Sequence, residues 1–288
     1  MDVSIIFVNY KTKDFTINAI KSVIEKTQGI DFEIFVVDNN SQDGSIEAIE
    51  QNFPNINIIK NTTNKGFGAA NNIAIKQAKG KYIFCLNTDT LLINNAIKIM
   101  FEFMEKIENQ NVGVCGGYLY DSNSNPAAAG GHFPNIVDLL YKFKFLPKSL
   151  YLKYGMSLTS NYLEKIEKID HIIGADIFFR KSVLDEIGLF DEKYFMYLEE
   201  TDLCFRIKKA GYNVKFVKDA KIIHFEGKSS KNLNTKKLFK TSQFIFLKKN
   251  SPILVLPFKI LYSILYLIDW IILKNNDSNE LLKIIWEF

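Results

Sequence analysis

Arginine is almost missing from this 288-residue sequence: Arg180 and Arg206 are the only two, and the other 34 of its 36 basic residues are lysine. Nucleic-acid binders favour clustered guanidinium forks for phosphates and base edges, so the shortage argues against a nucleic-acid partner. Cysteine is scarce as well. Cys85, Cys115 and Cys204 are odd in number, widely spaced, and form no Cys-x-x-Cys or Cys/His finger. That spacing points away from a disulfide framework or a zinc finger and predicts reduced thiols inside the cell. The opening Met-Asp-Val-Ser-Ile-Ile-Phe-Val lacks a basic region and a cleavage pattern, so no signal peptide is expected and the cytoplasm is the expected compartment. The glycine-bearing loop Asn64-Lys65-Gly66-Phe67-Gly68 matches neither GxGxxG nor the P-loop, so neither Rossmann cofactor binding nor P-loop kinase chemistry is supported.

What is present is globular. Hydrophobic residues make up 47% and charged residues 24%, with a net charge of +4, enough apolar material for a sizeable core. Residues 3–8, 32–37, 56–59 and 81–86 read as buried strands, and 171–179, 214–217 and 222–224 as later ones. Between them, 14–26, a segment opening near Gly44–Ser45, 69–79, 93–107, 182–188 and 197–210 carry apolar positions at helical spacing. Strands alternating with helices predict βαβ units and a mostly parallel sheet flanked by helices. Ligands then belong at the carboxyl ends of the strands. Three polar clusters fall there: Asn9-Tyr10, Asp38-Asn39-Asn40 and Asn87-Thr88-Asp89. Residues 118–170 are irregular and read as an insertion, a lid or an acceptor region.

Several side chains invite chemistry. Asp38 directly follows a buried strand, where a carboxylate can accept from a ribose or a base; it equally suits a tight-turn cap. Asp89 suits a hard divalent cation if a diphosphate supplies further oxygens; the alternative is an N-cap for the next helix. Glu199, Glu200 and Asp202 crowd the start of a helix, where acids meet the helix dipole favourably. Asp202 can pair with Arg206 at i, i+4. The excess acid could be a general base. His224 ends a short strand. His132 and His171 offer no cluster and read as structural.

Together these stretches resemble a family 2 inverting glycosyltransferase of the GT-A fold, over roughly residues 2–250. The pieces run in the family's order: Val3–Tyr10; Val36-Val37-Asp38-Asn39-Asn40-Ser41 through Ser45; Asn64–Asn72; Leu86-Asn87-Thr88-Asp89-Thr90; Gly174-Ala175-Asp176 before Arg180; Gly188–Glu192; and Glu199–Arg206. The Asn-Thr-Asp and Glu-Glu-Thr-Asp-Leu variants are similar to bacterial rhamnosyltransferase-like enzymes of surface polysaccharide assembly. The resemblance implies a GT-A nucleotide-diphospho-sugar transferase fold with a C-terminal helical tail, and transfer from dTDP-rhamnose or a UDP-hexose to an acceptor hydroxyl with inversion. It implies donor contacts at Asn9, Asp38, Asn40, Lys65, Gly66, Asn87 and Asp89, and Mg²⁺ or Mn²⁺ on Asp89 and His224. It places Glu200 as the base, with Glu199 as the alternative acid, and the acceptor side at Gly174, Ala175 and Asp176. The partners implied are a nucleotide-sugar donor and a glycan or lipid-linked glycan acceptor, with a homodimer left open. A nucleotidyltransferase, and a non-catalytic sugar-nucleotide or membrane-binding module with a degenerate site, are the competing readings.

The catalytic domain is expected over 1–227 and a tail over 228–288. Residues 228–250 carry seven lysines and no carboxylate, and 252–273 are almost wholly apolar. On a helix over Phe258–Leu273, Lys259, Tyr262, Ser263, Tyr266 and Asp269 fall on one stripe and the rest is aliphatic or tryptophan. Sixteen residues span ~24 Å, short of the ~30 Å hydrocarbon core. The tail is therefore expected to lie on the inner face of the cell membrane, or to pack on the catalytic domain or a partner subunit.

Overall fold

The structure is a computed structural model that describes residues 1–142, 145–166, 168–225, 233–272 and 276–288. The strands are β1 (Val3–Asn9), β2 (Phe32–Asp38), β3 (Asn57–Lys60), β4 (Tyr82–Leu86), β5 (Thr90–Leu92), β6 (Val112–Tyr120), β7 (Ala128–Gly131), β8 (Leu158–Thr159), β9 (His171–Ile172), β10 (Asp176–Arg180) and β11 (Asn213–His224). The helices are α1 (Lys13–Lys26), α2 (Ser45–Asn52), α3 (Phe67–Ile75), α4 (Ala96–Glu105), α5 (Ile136–Lys142), α6 (Lys148–Tyr154), α7 (Ser160–Leu163), α8 (Lys181–Ile187), α9 (Glu199–Lys209), α10 (Leu233–Asn250), α11 (Val255–Ile272) and α12 (Asn276–Glu287).

Eight strands form the main sheet in the order β3-β2-β1-β4-β10-β6-β11-β5. The first four are parallel, and the largely apolar, buried β1, β2 and β4 suit strands covered on both faces; β10 and β5 run against their neighbours. The register pairs Asn9 with Asp38, so two of the polar clusters leave the sheet at one level.

Three expectations need correction. First, β6 escaped notice because glycine occupies three of its nine positions. Each is there for space: a Cβ on Gly116 would run into the Ile172 side chain, one on Gly113 would lie 2.8 Å from Ile207 Cγ2, and one on Gly117 2.5 Å from the Ala220 carbonyl. Second, 171–179 is two strands. A turn at Gly174–Ala175 separates β9, which joins a small sheet ordered β8-β7-β9, from β10 in the main sheet. Third, 214–217 and 222–224 are one strand, β11, whose register shifts between Val217 and Lys221. The charged residues of that bulge interrupt the hydrophobic pattern.

Both arginines are structural forks. Arg180 donates to the Val112, Met104 and Asn109 carbonyls and to the Tyr82 hydroxyl. Arg206 pairs with Asp202 and donates to the carbonyls of Ile187, Gly188 and Leu189. The three cysteines are buried and unbridged.

In the tail, α10, α11 and α12 share a core of Phe244, Leu247, Phe258, Tyr262, Leu281 and Ile285, which Leu139 of α5 joins. Phe246 of α10 packs against Tyr194 and Leu198 beside Phe133 and Phe205. The tail is thus anchored on the start of α9. Glu226, Gly227, Lys228, Lys231 and Leu273 lie outside the described residues, and so does the junction between the expected domains.

Candidate active site

Asn9, the last residue of β1, is fully buried. Its Nδ2 donates to Asp38 Oδ1 at 2.7 Å and to Ser41 Oγ at 2.9 Å, while its Oδ1 accepts from Thr12 and Thr16. Ser41 N donates to Asp38 Oδ2 at 3.0 Å. Both Asp38 oxygens are therefore held, which fixes the carboxylate at the end of β2 with its remaining lone pairs for a ligand. Asn9 has no surface for a donor, so the expected contact is corrected to a supporting role beneath Asp38. Asn40 sits at φ +64° with its Oδ1 accepting from Gln42.

Asn39 binds this edge to the next loop. Its Nδ2 donates to the Gly66 carbonyl at 3.0 Å and its Oδ1 accepts from Asn61 at 2.9 Å. Gly66 has φ +82° and ψ −175°, a conformation open essentially to glycine alone. The backbone of Phe195 closes against it: a Cβ there would strike the Phe195 carbonyl, and Phe67 N donates to that same oxygen at 3.0 Å. The Lys65 side chain is exposed.

Beyond β4, Asn87 N donates to the Ala175 carbonyl at 2.9 Å, and the Thr88 hydroxyl lies 3.1 Å from that of Thr12. Asp89 is partly exposed, and His224 Nε2 of β11 stands 3.4 Å from Asp89 Oδ1. One carboxylate oxygen and one imidazole nitrogen at that separation fit a divalent cation that takes its other ligands from a diphosphate and water. Among the described residues, no group of three His, Cys, Asp or Glu side chains could hold a metal by itself.

The turn between β9 and β10 ties this edge to the acids. Ala175 bonds to Asn87, and a Cβ on Gly174 would lie 3.9 Å from Glu200 Cδ. Glu199 is buried with its Oε2 unpartnered. Burial pushes the Glu199 carboxyl well above the usual range, and the neighbouring Glu200 adds to this; burial raises Glu200 as well. Of the three residues expected on the acceptor side, only Gly174 has appreciable surface. Ala175 is buried, and Asp176 is fully buried with Oδ2 accepting from Gly117 N at 2.6 Å. Its carboxyl is raised to about 8 by that burial. Asp176 is an interior group, and its expected acceptor contact is corrected.

Sequence reasoning missed the joint that aims α9. Tyr197 and Leu198 both have positive φ, at +71° and +64°. Two consecutive non-glycine residues there are costly and persist where packing holds them. No residue type announces this in the sequence. The hold is visible in three dimensions: Ser242 of α10 donates to the Met196 carbonyl at 2.8 Å, and Leu198 is buried against Phe246.

The sequence profile of Glycosyl transferase family 2 matches residues 4–188, which include the three strand-end clusters and the Gly174 turn. The chain belongs to glycosyl transferase family 2. Its similarity to the N-acetylglucosaminyl-diphospho-decaprenol L-rhamnosyltransferase of Mycobacterium tuberculosis is 24% identity over 212 residues, covering 68% of this chain and 67% of that one. It is 24% identical to the low-salt glycan biosynthesis hexosyltransferase Agl10 of Haloferax volcanii, over 91% of this chain and 82% of the other. Among solved structures, the Pyrobaculum calidifontis mannosyltransferase in complex with GDP-Man and Mn²⁺ superposes with a TM-score of 0.59 at 15% identity, covering 99% of this chain and 73% of that one. That likeness shows the GT-A fold. The strand-end edge of this glycosyltransferase is the part of the fold to which the clusters converge.

Proposed function

We propose that this chain moves a sugar from a nucleoside-diphosphate donor, dTDP-rhamnose or a UDP-hexose, to a hydroxyl of a glycan or lipid-linked glycan with inversion, in the cytoplasm and in the assembly of a surface polysaccharide. Support for a rhamnosyl donor and a lipid-linked acceptor comes from the mycobacterial relative; support for a divalent cation comes from the Mn²⁺ of the mannosyltransferase. In this reading Asp38 and Asn40 contact the nucleoside, and Lys65 and the Gly66 backbone the donor. Asn87 and Asp89 meet the diphosphate. Asp89 and His224 would hold the cation, whose chemistry is to neutralise charge on the leaving diphosphate.

Glu200 takes the proton from the acceptor hydroxyl. The freed oxygen forms a bond to the anomeric carbon from the face opposite the diphosphate. The anomeric C–O bond breaks, and the nucleoside diphosphate leaves with its electron pair. One displacement inverts the centre and requires one base. The observation that carries the reading is the carboxylate pair of α9, desolvated and raised in pKa, beside the Gly174 turn that bonds to the Asn87–Asp89 loop. A base held near the working pH is the form general-base transfer needs. The test is incubation with a panel of nucleotide sugars, Mn²⁺ and a hydroxyl acceptor, with the product's anomeric configuration read by NMR. Retention of configuration, or no sugar transfer from any donor, would overturn it.

A further inference from the structure

Among the described residues, the tail core leaves one face of α11 uncovered. The helix turns Phe258, Tyr262, Leu265 and Tyr266 inward. Leu256, Ile260, Ile264, Leu267, Ile268 and Ile271 stand on the opposite side, between 41% and 67% exposed. Their spacing is that of a single helical stripe. We propose that this stripe lays α11 flat in the headgroup region of an anionic lipid leaflet.

The expected division of the helix is inverted in part, and the inversion favours this occupant. The polar groups that were to face water are spent on protein. Tyr262 donates to Gln243 Oε1 at 3.1 Å, Trp286 Nε1 to Ser263 Oγ at 2.9 Å, and Ser278 to Asp269 at 3.4 Å. The outward stripe that remains is purely aliphatic. Both tryptophans of the chain lie at this end of the tail and are exposed, Trp270 at 41% and Trp286 at 58%, and the Lys259 ammonium sits 5.1 Å from the Trp286 ring centroid. Tryptophan with lysine beside an apolar face is the composition of a membrane interface. Residues 228–288 carry ten lysines and four carboxylates. That excess complements anionic headgroups but would face its own sign across a symmetric contact with a second copy.

By length and composition Pro252–Ile271 could also cross a membrane. The bonds of its inner face weigh against that. A span would take Lys259 and Asp269 into hydrocarbon, where charge is costly, and would pull Tyr262 away from Gln243 of α10. A contact confined to one leaflet leaves those bonds intact.

The test uses the full chain with phosphatidylcholine vesicles, with and without about one third phosphatidylglycerol. The only two tryptophans are exposed in this tail, so their emission reports its environment without any substitution. The expected result is co-sedimentation with the anionic vesicles and a blue shift of emission. The triple variant Ile260→Gln, Ile264→Gln, Ile268→Gln should lower the partition coefficient by at least ~10-fold, with an unchanged melting temperature because the replaced side chains are exposed. Transfer to a soluble acceptor should also be unchanged in that variant, so this proposal and the catalytic one fail separately. Three results would overturn the proposal: no shift and no pelleting with anionic vesicles, equal pelleting of the triple variant, or a dimer in light scattering whose tryptophans are already shielded without lipid.

Discussion

Replacing Gly66 with alanine should damage catalysis more than folding. Gly66 combines φ +82° with ψ −175°, a region whose occupation by a residue with a Cβ costs about 1–3 kcal/mol. The new methyl would also meet the Phe195 carbonyl. Relief requires that backbone to retreat, which breaks the 3.0 Å bond from Phe67 N at about 1 kcal/mol. The sum is roughly 2–4 kcal/mol, or about 2–4 °C of melting temperature for each kcal/mol in a chain of this size. Phe195 lies four residues before the first residue of α9, close to the Tyr197–Leu198 joint from which Glu200 projects. A shift of about 1 Å there should lower kcat by ~10²-fold, the scale of a misplaced catalytic group. The assay is a thermal melt beside steady-state kinetics of nucleoside-diphosphate release. A Gly66→Ala protein with near-wild-type kcat would refute the reasoning, whatever its melting temperature.

Glu200→Gln should lower turnover by ~10²–10⁴ with donor affinity kept; an active Glu200→Gln beside a dead Glu199→Gln would transfer the role to Glu199. Burial raises both carboxyls, so kcat/KM should climb with pH through a limb above the ordinary glutamate range, and Glu199→Gln should leave that limb in place, because the more strongly raised Glu199 is still neutral while Glu200 titrates. The linked stability has the opposite sign: protons held by the folded pair are lost as pH rises through the raised values, so wild type should lose stability across that window and the glutamine variants less. Asp89→Ala should abolish stimulation by Mg²⁺ or Mn²⁺, because the diphosphate charge is left uncompensated; full wild-type activity in excess EDTA would refute the metal-assisted reading. Lys249→Met and Asp202→Asn should be non-additive in chemical denaturation by about 1 kcal/mol, the low end for a pair whose lysine is 36% exposed; strict additivity would remove the strut they form.

How legible all this was depends on the kind of signal. The parallel half of the sheet could be read because β1, β2 and β4 are largely apolar runs, broken only by Ser4 and Glu33, that stop at polar residues, as strands buried on both faces do. Asp38, Asp89 and His224 could be singled out because each stands at or just past the end of an apolar strand, and Glu200 because three acids in four positions exceed what a helix start needs. The supporting layer could not. Asn9 looked like a ligand contact because residue type does not say whether an amide points out or is held by Asp38, Ser41, Thr12 and Thr16. Asp176 misled for the same reason. β6 was hidden because its glycines answer to neighbours distant in the chain, Ile207, Ile172 and Ala220. The tail's periodicity revealed an amphipathic helix. It could not say which face turns inward, because tyrosine satisfies either side.

Hydrogen bonds and packing join the tail to α9, which gives the basic segment a role beyond charge. Lys249, at the end of α10, donates to Asp191 at 2.6 Å and to Asp202 at 3.0 Å, and Asn250 donates to Asp202 at 3.0 Å. Asp202 lies fully buried two residues after Glu200 and also holds Arg206. One turn earlier in space, Ser242 and Phe246 secure the strained joint that precedes Glu199. Strained backbone keeps its shape only while its surroundings over-determine it. Here those surroundings belong to α10, whose other side forms the core beneath the aliphatic stripe of α11. Packed side chains and four hydrogen bonds thus connect α11, through α10, to the start of α9 without passing through the sheet. If the acceptor is lipid-linked, α11, the helix proposed to meet the lipid, packs on α10, the helix that holds the joint before the proposed base, so both ends of the proposed transfer would be set by one helical unit.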